Sequence, residues 1–473
     1  MKRNILRTAH LFFVLFPAIG VYLAYWQVFA SEDLMNHPRN RRVLLNEKRV
    51  LRGTIFDRNA EPLARSEFEL SGQGGTRRQV RKLMAPAAMS HVTGYLSDRY
   101  GRTGIESKLN SHLSGMTRLR SWDDLRDFLM ADQRRGHDVF LTIDAHVQEA
   151  AYSALEGRRG AVVALVPSTG EILALTSSPG YDVARVDTAW ETIQEDPEEP
   201  LFNRATSGLY PPGSTFKVVT AGDALEEGIA EPKTSFGCNG HVNIEGYDVR
   251  CPDGKAHGRV DLTQALVVSC NVVHAQLAVQ IGKSRYTSYA RRWGLGEDLF
   301  GDLPSKASSI VRSDSNLTTT VLAQTGFGQG EVSVTPLQMA VIAATIANGG
   351  LRMQPYIIDR VCSYGGERLQ QTTPKGEQQV ISPDTAGLLA GMMEAVVSRG
   401  STRGTFSSLS FSVAGKTGTA QNPHGKAHAW FIGFAPVESP QVAVACVIEN
   451  AGAGSKEAAP VVRDVMAAAL AHL

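Results

Sequence analysis

The 473-residue chain carries only five cysteines, no net charge to speak of, and no internal repeat or low-complexity tract. Five cysteines are too few for a disulfide-built scaffold, so a packed core must hold the fold. Lys and Arg total 48 against 47 Asp and Glu. No global field favours a polyanion, and nucleic acid is excluded as an organising partner. The 12 histidines are scattered, with no His-x-x-x-His pair in a convincing helix, so neither a metal site nor a cofactor is legible.

What is present begins at the amino terminus. Leu11 to Ala30 is uncharged and mostly apolar, and about 20 such residues span a bilayer as a helix. Lys2, Arg3 and Arg7 precede it, which predicts a cytoplasmic amino terminus, and Tyr22, Tyr25 and Trp26 suit the far interface. The competing reading is a cleaved signal peptide ending at Val28-Phe29-Ala30. The run is longer than a signal core of roughly 7–15 residues, which favours a retained anchor. Both readings export the remainder.

Residues 31–137 are rich in Arg and short of apolar runs. The basic run from Asn36 to Arg52 reads as a solvated face. Arg52 to Ala64 reads as strand, turn at Asp57-Arg58-Asn59-Ala60, and return strand. Gly72 to Gly75 marks a loop. Tyr100 to Glu106 turns into a helical pattern through Leu109 and Leu113. No catalytic constellation is visible, and the region reads as a spacer.

From residue 138 the texture changes. Asp138 to Ile143 alternates as a strand, Asp144 is placed to cap a helix through Val147 and Ala151, and Gly160 to Val166 reads as a buried strand. Strand, helix, hairpin, many helices and closing strands predict an α+β fold with helices packed on an antiparallel sheet. Three short motifs lie within it. Tyr210-Pro-Pro-Gly-Ser214-Thr-Phe-Lys217 is a turn feeding a helix, and it sets a hydroxyl and an amine side by side, the hardware of a serine nucleophile with a lysine base. Ser269-Cys270-Asn271 follows an apolar helix. Lys416-Thr417-Gly418-Thr419 sits between two strand patterns. Each has a bland reading: a capping serine with a surface lysine, an interhelical loop, a strand glycine for close packing. Each motif occurs once in the chain, and the three in this order, in an exported domain, match the S-x-x-K, S-x-N and K-T-G set of penicillin-recognising serine enzymes.

On these motifs the chain resembles the class B penicillin-binding proteins, monofunctional D,D-transpeptidases of peptidoglycan synthesis. Arg52 to Ala64, Gly101 to Glu106, Phe327-Gly-Gln-Gly330 with Thr335-Pro-Leu-Gln338, and His428 to Pro436 are similar to further signatures of that family. Ala60 departs from the glycine usual at the turn. The resemblance implies a cytoplasmic tail (1–10), a transmembrane anchor (11–30), a small β-rich, dimerisation-like pedestal (31–137) and a serine β-lactamase-like transpeptidase domain (138–473). It implies Ser214 as nucleophile, Lys217 as base, Ser269 as proton relay, and Asn271, Lys416, Thr417, Gly418 and Thr419 as substrate-binding residues. The backbone N–H groups of Ser214 and Thr419 would form the oxyanion hole. Substrates would be peptidoglycan stem peptides, with β-lactams acylating the same serine. No glycosyltransferase motif is present, so the implied partner is a membrane-embedded glycosyltransferase of the shape, elongation, division and sporulation family.

Rival readings are a D,D-carboxypeptidase or serine β-lactamase, a non-catalytic β-lactam receptor, and a polymerase scaffold. The roughly 100 residues between anchor and catalytic region argue against the hydrolases, the ten residues before the anchor against a receptor with a cytoplasmic output domain, and the intact motifs against a scaffold. Cys238 and Cys251 flank a hairpin and, outside the cytoplasm, are either a disulfide or two free thiols.

Overall fold

The computed structural model describes residues 2–28, 50–71, 76–85, 87–115, 135–311, 313, 317–423 and 425–472. The basic run before Val50, the Gly72–Gly75 loop and the cleavage-like Phe29-Ala30 pair lie outside the described residues. The amino-terminal helix spans Lys2–Val28, starting earlier than the hydropathy alone indicates and carrying Pro17 inside it. Within it, Ile5–Trp26 is long and apolar enough to cross a membrane, and none of it is buried by the rest of the chain.

Two large sheets, with four two-stranded ones beside them, organise the rest of the described residues. The first is six-stranded. Its strands run, in spatial order, Arg368–Gln371, Ile358–Cys362, Asp138–Leu141, Ile55–Phe56, Pro62–Ser71 and Thr76–Leu83. The Arg52–Ala64 hairpin forms as the sequence predicts, with Ile55 opposite Ala64. Ala60 adopts φ 62° at its turn, a left-handed conformation usually left to glycine. The two outer strands, from residues 358–371, are the surprise: they come from the far part of the chain and complete the sheet of the spacer region.

Beneath that sheet lies a buried ion cluster. Glu106 accepts from Arg52 Nε at 2.6 Å and from Arg81 Nε at 2.7 Å. Arg52 also donates to Glu106 O and Asn110 Oδ1, and Arg81 donates to Gly53 O. Burial alone would raise the Glu106 carboxyl, but the charges of Arg81 and Arg52 outweigh it and hold it below the usual carboxylate range. The hairpin turn is tied to the next region. Asp57 accepts from Ala145 N, and Asn59 Nδ2 donates to Asp144 Oδ2. Asp144 in turn caps the Ala145–Ala154 helix through His146 N and Val147 N, an arrangement worth about 1 kcal/mol.

The second sheet is five-stranded and antiparallel: Ala414–Ala420, His428–Ala435, Val442–Ile448, Gly160–Leu165 and Ile172–Ser178. Its strands are apolar almost throughout because both faces are covered. Val162, Ala164 and Val444 pack with Val147, Val461 and Val465 under the Ala145–Ala154 and Ala458–His472 helices. Ala161, Val163 and Ala445 face the opposite core, with the helix Pro336–Ala347, buried from Pro336 through Ile346. Period-two alternation thus feeds two cores. Ile172–Ser178 is one edge strand and Ala414–Ala420, which carries Lys416-Thr417-Gly418, is the free edge on the active-site side.

Candidate active site

Ser214 sits in a tight helical turn, Gly213–Phe216, that runs into the Lys217–Glu226 helix. Prolines 211 and 212 and the φ of 55° at Gly213 shape the entry. The turn is clamped from two sides. Gly213 N donates to Gly328 O at 2.9 Å, and a Cβ on Gly328 would lie 1.9 Å from Gly213 O, so Phe327-Gly-Gln-Gly330 serves as a brace for the turn that carries Ser214. On the other side Gly418 faces Thr215 Cγ2 and Pro212 O, each within 3.0 Å of where its Cβ would be. The close-packing reading of that glycine therefore holds. Trp430 Nε1 donates to Pro211 O.

Ser214 and the Ser269-x-Asn271 loop meet at the Lys217 amine, and Lys416 joins them through Ser269 Oγ. Lys217 Nζ lies 3.0 Å from Ser214 Oγ, 2.7 Å from Ser269 O, 3.0 Å from Ser269 Oγ and 2.7 Å from Asn271 Oδ1. Lys416 Nζ reaches Ser269 Oγ at 3.1 Å and Thr417 O at 3.1 Å. Ser269 stands between the two amines, at φ 58°, a conformation that costs a non-glycine residue on the order of 1–3 kcal/mol. Asn271 Nδ2 donates to Arg250 O, which fixes the amide so that its oxygen faces Lys217. Thr417 is half-buried and Thr419 exposed on the free edge.

Both lysines are fully enclosed, at 0% and 1% exposure, with no carboxylate among their hydrogen-bond partners. Burial, then the positive charge of Lys416, pushes the Lys217 amine well below its ordinary value. Burial brings Lys416 down to about 7. Hydrogen bonding points the same way. Two of Lys217's four oxygen neighbours, Ser269 O and Asn271 Oδ1, can only accept. A neutral amine satisfies them with its two N–H groups and keeps a lone pair for a hydroxyl proton.

Sequence reasoning missed the support behind Tyr210. Its hydroxyl donates to Glu449 Oε1 at 2.8 Å, Glu449 also accepts from the buried Arg204 Nε at 2.8 Å, and Arg159 forms an ion pair with its other oxygen at 2.9 Å. His274, whose Nδ1 contacts Cys270 O at 2.8 Å, also escaped notice; burial and the Lys217 charge bring it down to about 3, so it stays neutral. Of the two readings left open for the first two cysteines, the structure has the free thiols. Cys238 and Cys251 flank the His241–Ile244/Tyr247–Arg250 hairpin as expected, but their sulfurs are 3.6 Å apart and unbonded. Cys270 lies 3.6 Å from Cys251 in the same group.

A helix-covered antiparallel sheet, with Ser-x-x-Lys opposite Ser-x-Asn and Lys-Thr-Gly on the free edge, defines a penicillin-recognising serine acyltransferase fold. Residues 160–467 match the penicillin-binding protein transpeptidase domain, and residues 52–139 the penicillin-binding protein A dimerisation domain. The chain belongs to the class B penicillin-binding proteins. It is 35% identical to the peptidoglycan D,D-transpeptidase PbpA of Mycolicibacterium smegmatis, over 99% of both chains. Among solved structures it is similar to penicillin-binding protein A of M. tuberculosis as a ceftriaxone acyl-enzyme, with 34% identity and a TM-score of 0.83 over 90% of this chain and 100% of that one. It is also similar to a D,D-transpeptidase domain from Eggerthella lenta, with 34% identity and a TM-score of 0.80 over 90% of this chain and 99% of that one.

Proposed function

We propose that this protein is a serine D,D-transpeptidase that cross-links peptidoglycan stem peptides and is acylated by penicillins. The observation that carries the reading is the enclosed Lys217 amine, within 3.0 Å of both the Ser214 and Ser269 hydroxyls. Lys217, neutral in the free enzyme, takes the Ser214 proton as Oγ attacks the carbonyl of the penultimate D-Ala. Ser269, hydrogen-bonded to both lysines, returns a proton to the departing D-Ala amine. Lys416 supplies positive charge, and Thr417 and Thr419 hydroxyls, for the terminal carboxylate. Asn271 holds the substrate backbone. The Ser214 and Thr419 N–H groups receive the oxyanion, each worth about 100- to 1000-fold in rate. An amine from a second stem peptide then takes the acyl group and frees Ser214.

The chain divides as tail 1–10, anchor 11–30, pedestal 31–137 and transpeptidase domain 138–473, and the family matches over 52–139 and 160–467 support the separation of the last two. Lys2, Arg3 and Arg7 support a cytoplasmic amino terminus with the catalytic domain outside. The partner is a membrane-embedded glycosyltransferase of the shape, elongation, division and sporulation family, engaged through anchor and pedestal. Co-purification from detergent tests this, and its failure across conditions counts against it.

The central test is labelling by a fluorescent penicillin, with the adduct located by peptide mass. Wild type labels at Ser214, and Ser214→Ala, folded by circular dichroism, does not. Labelling that survives in the folded variant removes Ser214 as nucleophile. Slow release of the bound penicillin separates a transpeptidase from a β-lactamase.

A further inference from the structure

Behind the Ser269-x-Asn271 loop, three sulfurs and one imidazole meet. Cys238 closes the Ser235–Cys238 strand, Cys251 follows the 241–250 hairpin, His257 precedes the Gly258–Asp261 strand, and Cys270 precedes the Asn271–Ile281 helix. Cys238 Sγ is 3.6 Å from Cys251 Sγ and 3.4 Å from His257 Nδ1, and Cys251 Sγ is 3.6 Å from Cys270 Sγ. All four donor atoms lie within 4.8 Å of one another. The three cysteines are 0–2% exposed and the histidine half-buried.

The three short separations are those of a coordination shell. A tetrahedral zinc site has metal–sulfur bonds of about 2.3 Å and metal–nitrogen bonds of about 2.0–2.1 Å, which puts its sulfur–sulfur edges near 3.8 Å and its sulfur–nitrogen edges near 3.5 Å. A disulfide needs sulfurs at about 2.0 Å, and Cys251, equally distant from two others, could satisfy only one of them. Three soft sulfurs with one imidazole, and no carboxylate in the group, select zinc over magnesium or calcium. With four protein donors the site is closed, which is the structural rather than the catalytic form.

We propose that Cys238, Cys251, His257 and Cys270 bind one zinc ion that locks the insert of residues 235–261 onto the loop carrying Ser269 and Asn271. Binding takes a neutral imidazole and three thiolates, so up to three protons leave as the ion enters. The mechanical consequence follows from position. Cys270 lies between Ser269, held at φ 58°, and Asn271, whose amide is oriented by Arg250 O one residue before Cys251. The ion pins both neighbours and thereby two of the three residues hydrogen-bonded to Lys217. Occupancy stands apart from the transpeptidase reading; the effect on acylation rests on it.

The test uses the full chain, extracted in detergent without chelator. Elemental analysis should find one zinc per chain, lost in Cys251→Ser and kept in Cys362→Ser, whose thiol is outside the group. Stripping by a chelator under reducing conditions should slow penicillin labelling about tenfold or more, with recovery on adding zinc. If Cys251→Ser fails to fold, cobalt added to the stripped wild type decides, through the ligand-field and thiolate charge-transfer bands of a tetrahedral sulfur-rich site. A wild type with no zinc and no such bands, a disulfide among these cysteines in the protein as isolated, or zinc retained in folded Cys251→Ser would each overturn the site. Labelling unchanged after proven zinc loss, with Ser214 still the labelled residue, would overturn its hold on the loop.

Discussion

Two buried clusters of charged side chains, one under the six-stranded sheet and one in the candidate active site, are built on opposite rules. Under the six-stranded sheet, Glu106 lies between Arg52 and Arg81, each within 2.7 Å. Opposite charges meet there with side-chain and backbone acceptors filling in, so the groups stay ionised and the cluster fastens the pedestal. In the active site two amines, Lys217 and Lys416, share one hydroxyl at 3.0 and 3.1 Å with no carboxylate between them. Burial there is uncompensated. It drives the amines toward the neutral form, a cost to the fold that becomes useful only if a proton must move. Compensation marks structure; its absence marks chemistry.

The sharpest way to break the comparison is to remove one member of each cluster at similar volume. Lys217→Met should slow penicillin labelling by about 100- to 10,000-fold, the span general-base catalysis provides, without a matching loss of thermal stability. Glu106→Met should do the reverse. It strands two buried guanidinium groups and should cost roughly 3–5 kcal/mol, read from chemical denaturation, while the labelling rate per folded molecule stays at the wild-type level. Equal losses of rate and stability in both variants would show that the two clusters are alike.

The same contrast explains what the sequence reveals. Ser214-x-x-Lys217, Ser269-x-Asn271 and Lys416-Thr-Gly418 are legible because the chemistry demands fixed residue types at short spacing, and each motif is local to one turn, one loop or one strand. Arg204 and Glu449 behind Tyr210 are not, since ion partners separated by 245 residues leave no local mark. Nor are the Ile358–Cys362 and Arg368–Gln371 strands as part of the pedestal sheet, because register between distant strands is set by packing and not by pattern. The cysteines lie between these cases. A hairpin between Cys238 and Cys251 can be read from turn residues, but the thiol neighbours depend on where Cys270 and His257 arrive in space.

Protonation sharpens the comparison at the smallest scale. Labelling needs Lys217 neutral and Lys416 positive. Both amines are pushed down by burial, Lys217 further because the Lys416 charge adds to it. As pH rises, the labelling rate constant should first climb as Lys217 loses its proton. It should then fall as Lys416 passes about 7 and can no longer attract the penicillin carboxylate. The falling limb should approach about tenfold per pH unit, the limit for one essential proton. Lys416→Arg stays protonated across this range and should move the falling limb upward. A penicillin carboxylate ester, with no negative charge to hold, should lose that limb in the wild type while keeping the rising one. An ester profile identical to that of the free acid would remove Lys416 from carboxylate binding and leave its charge acting only through Lys217.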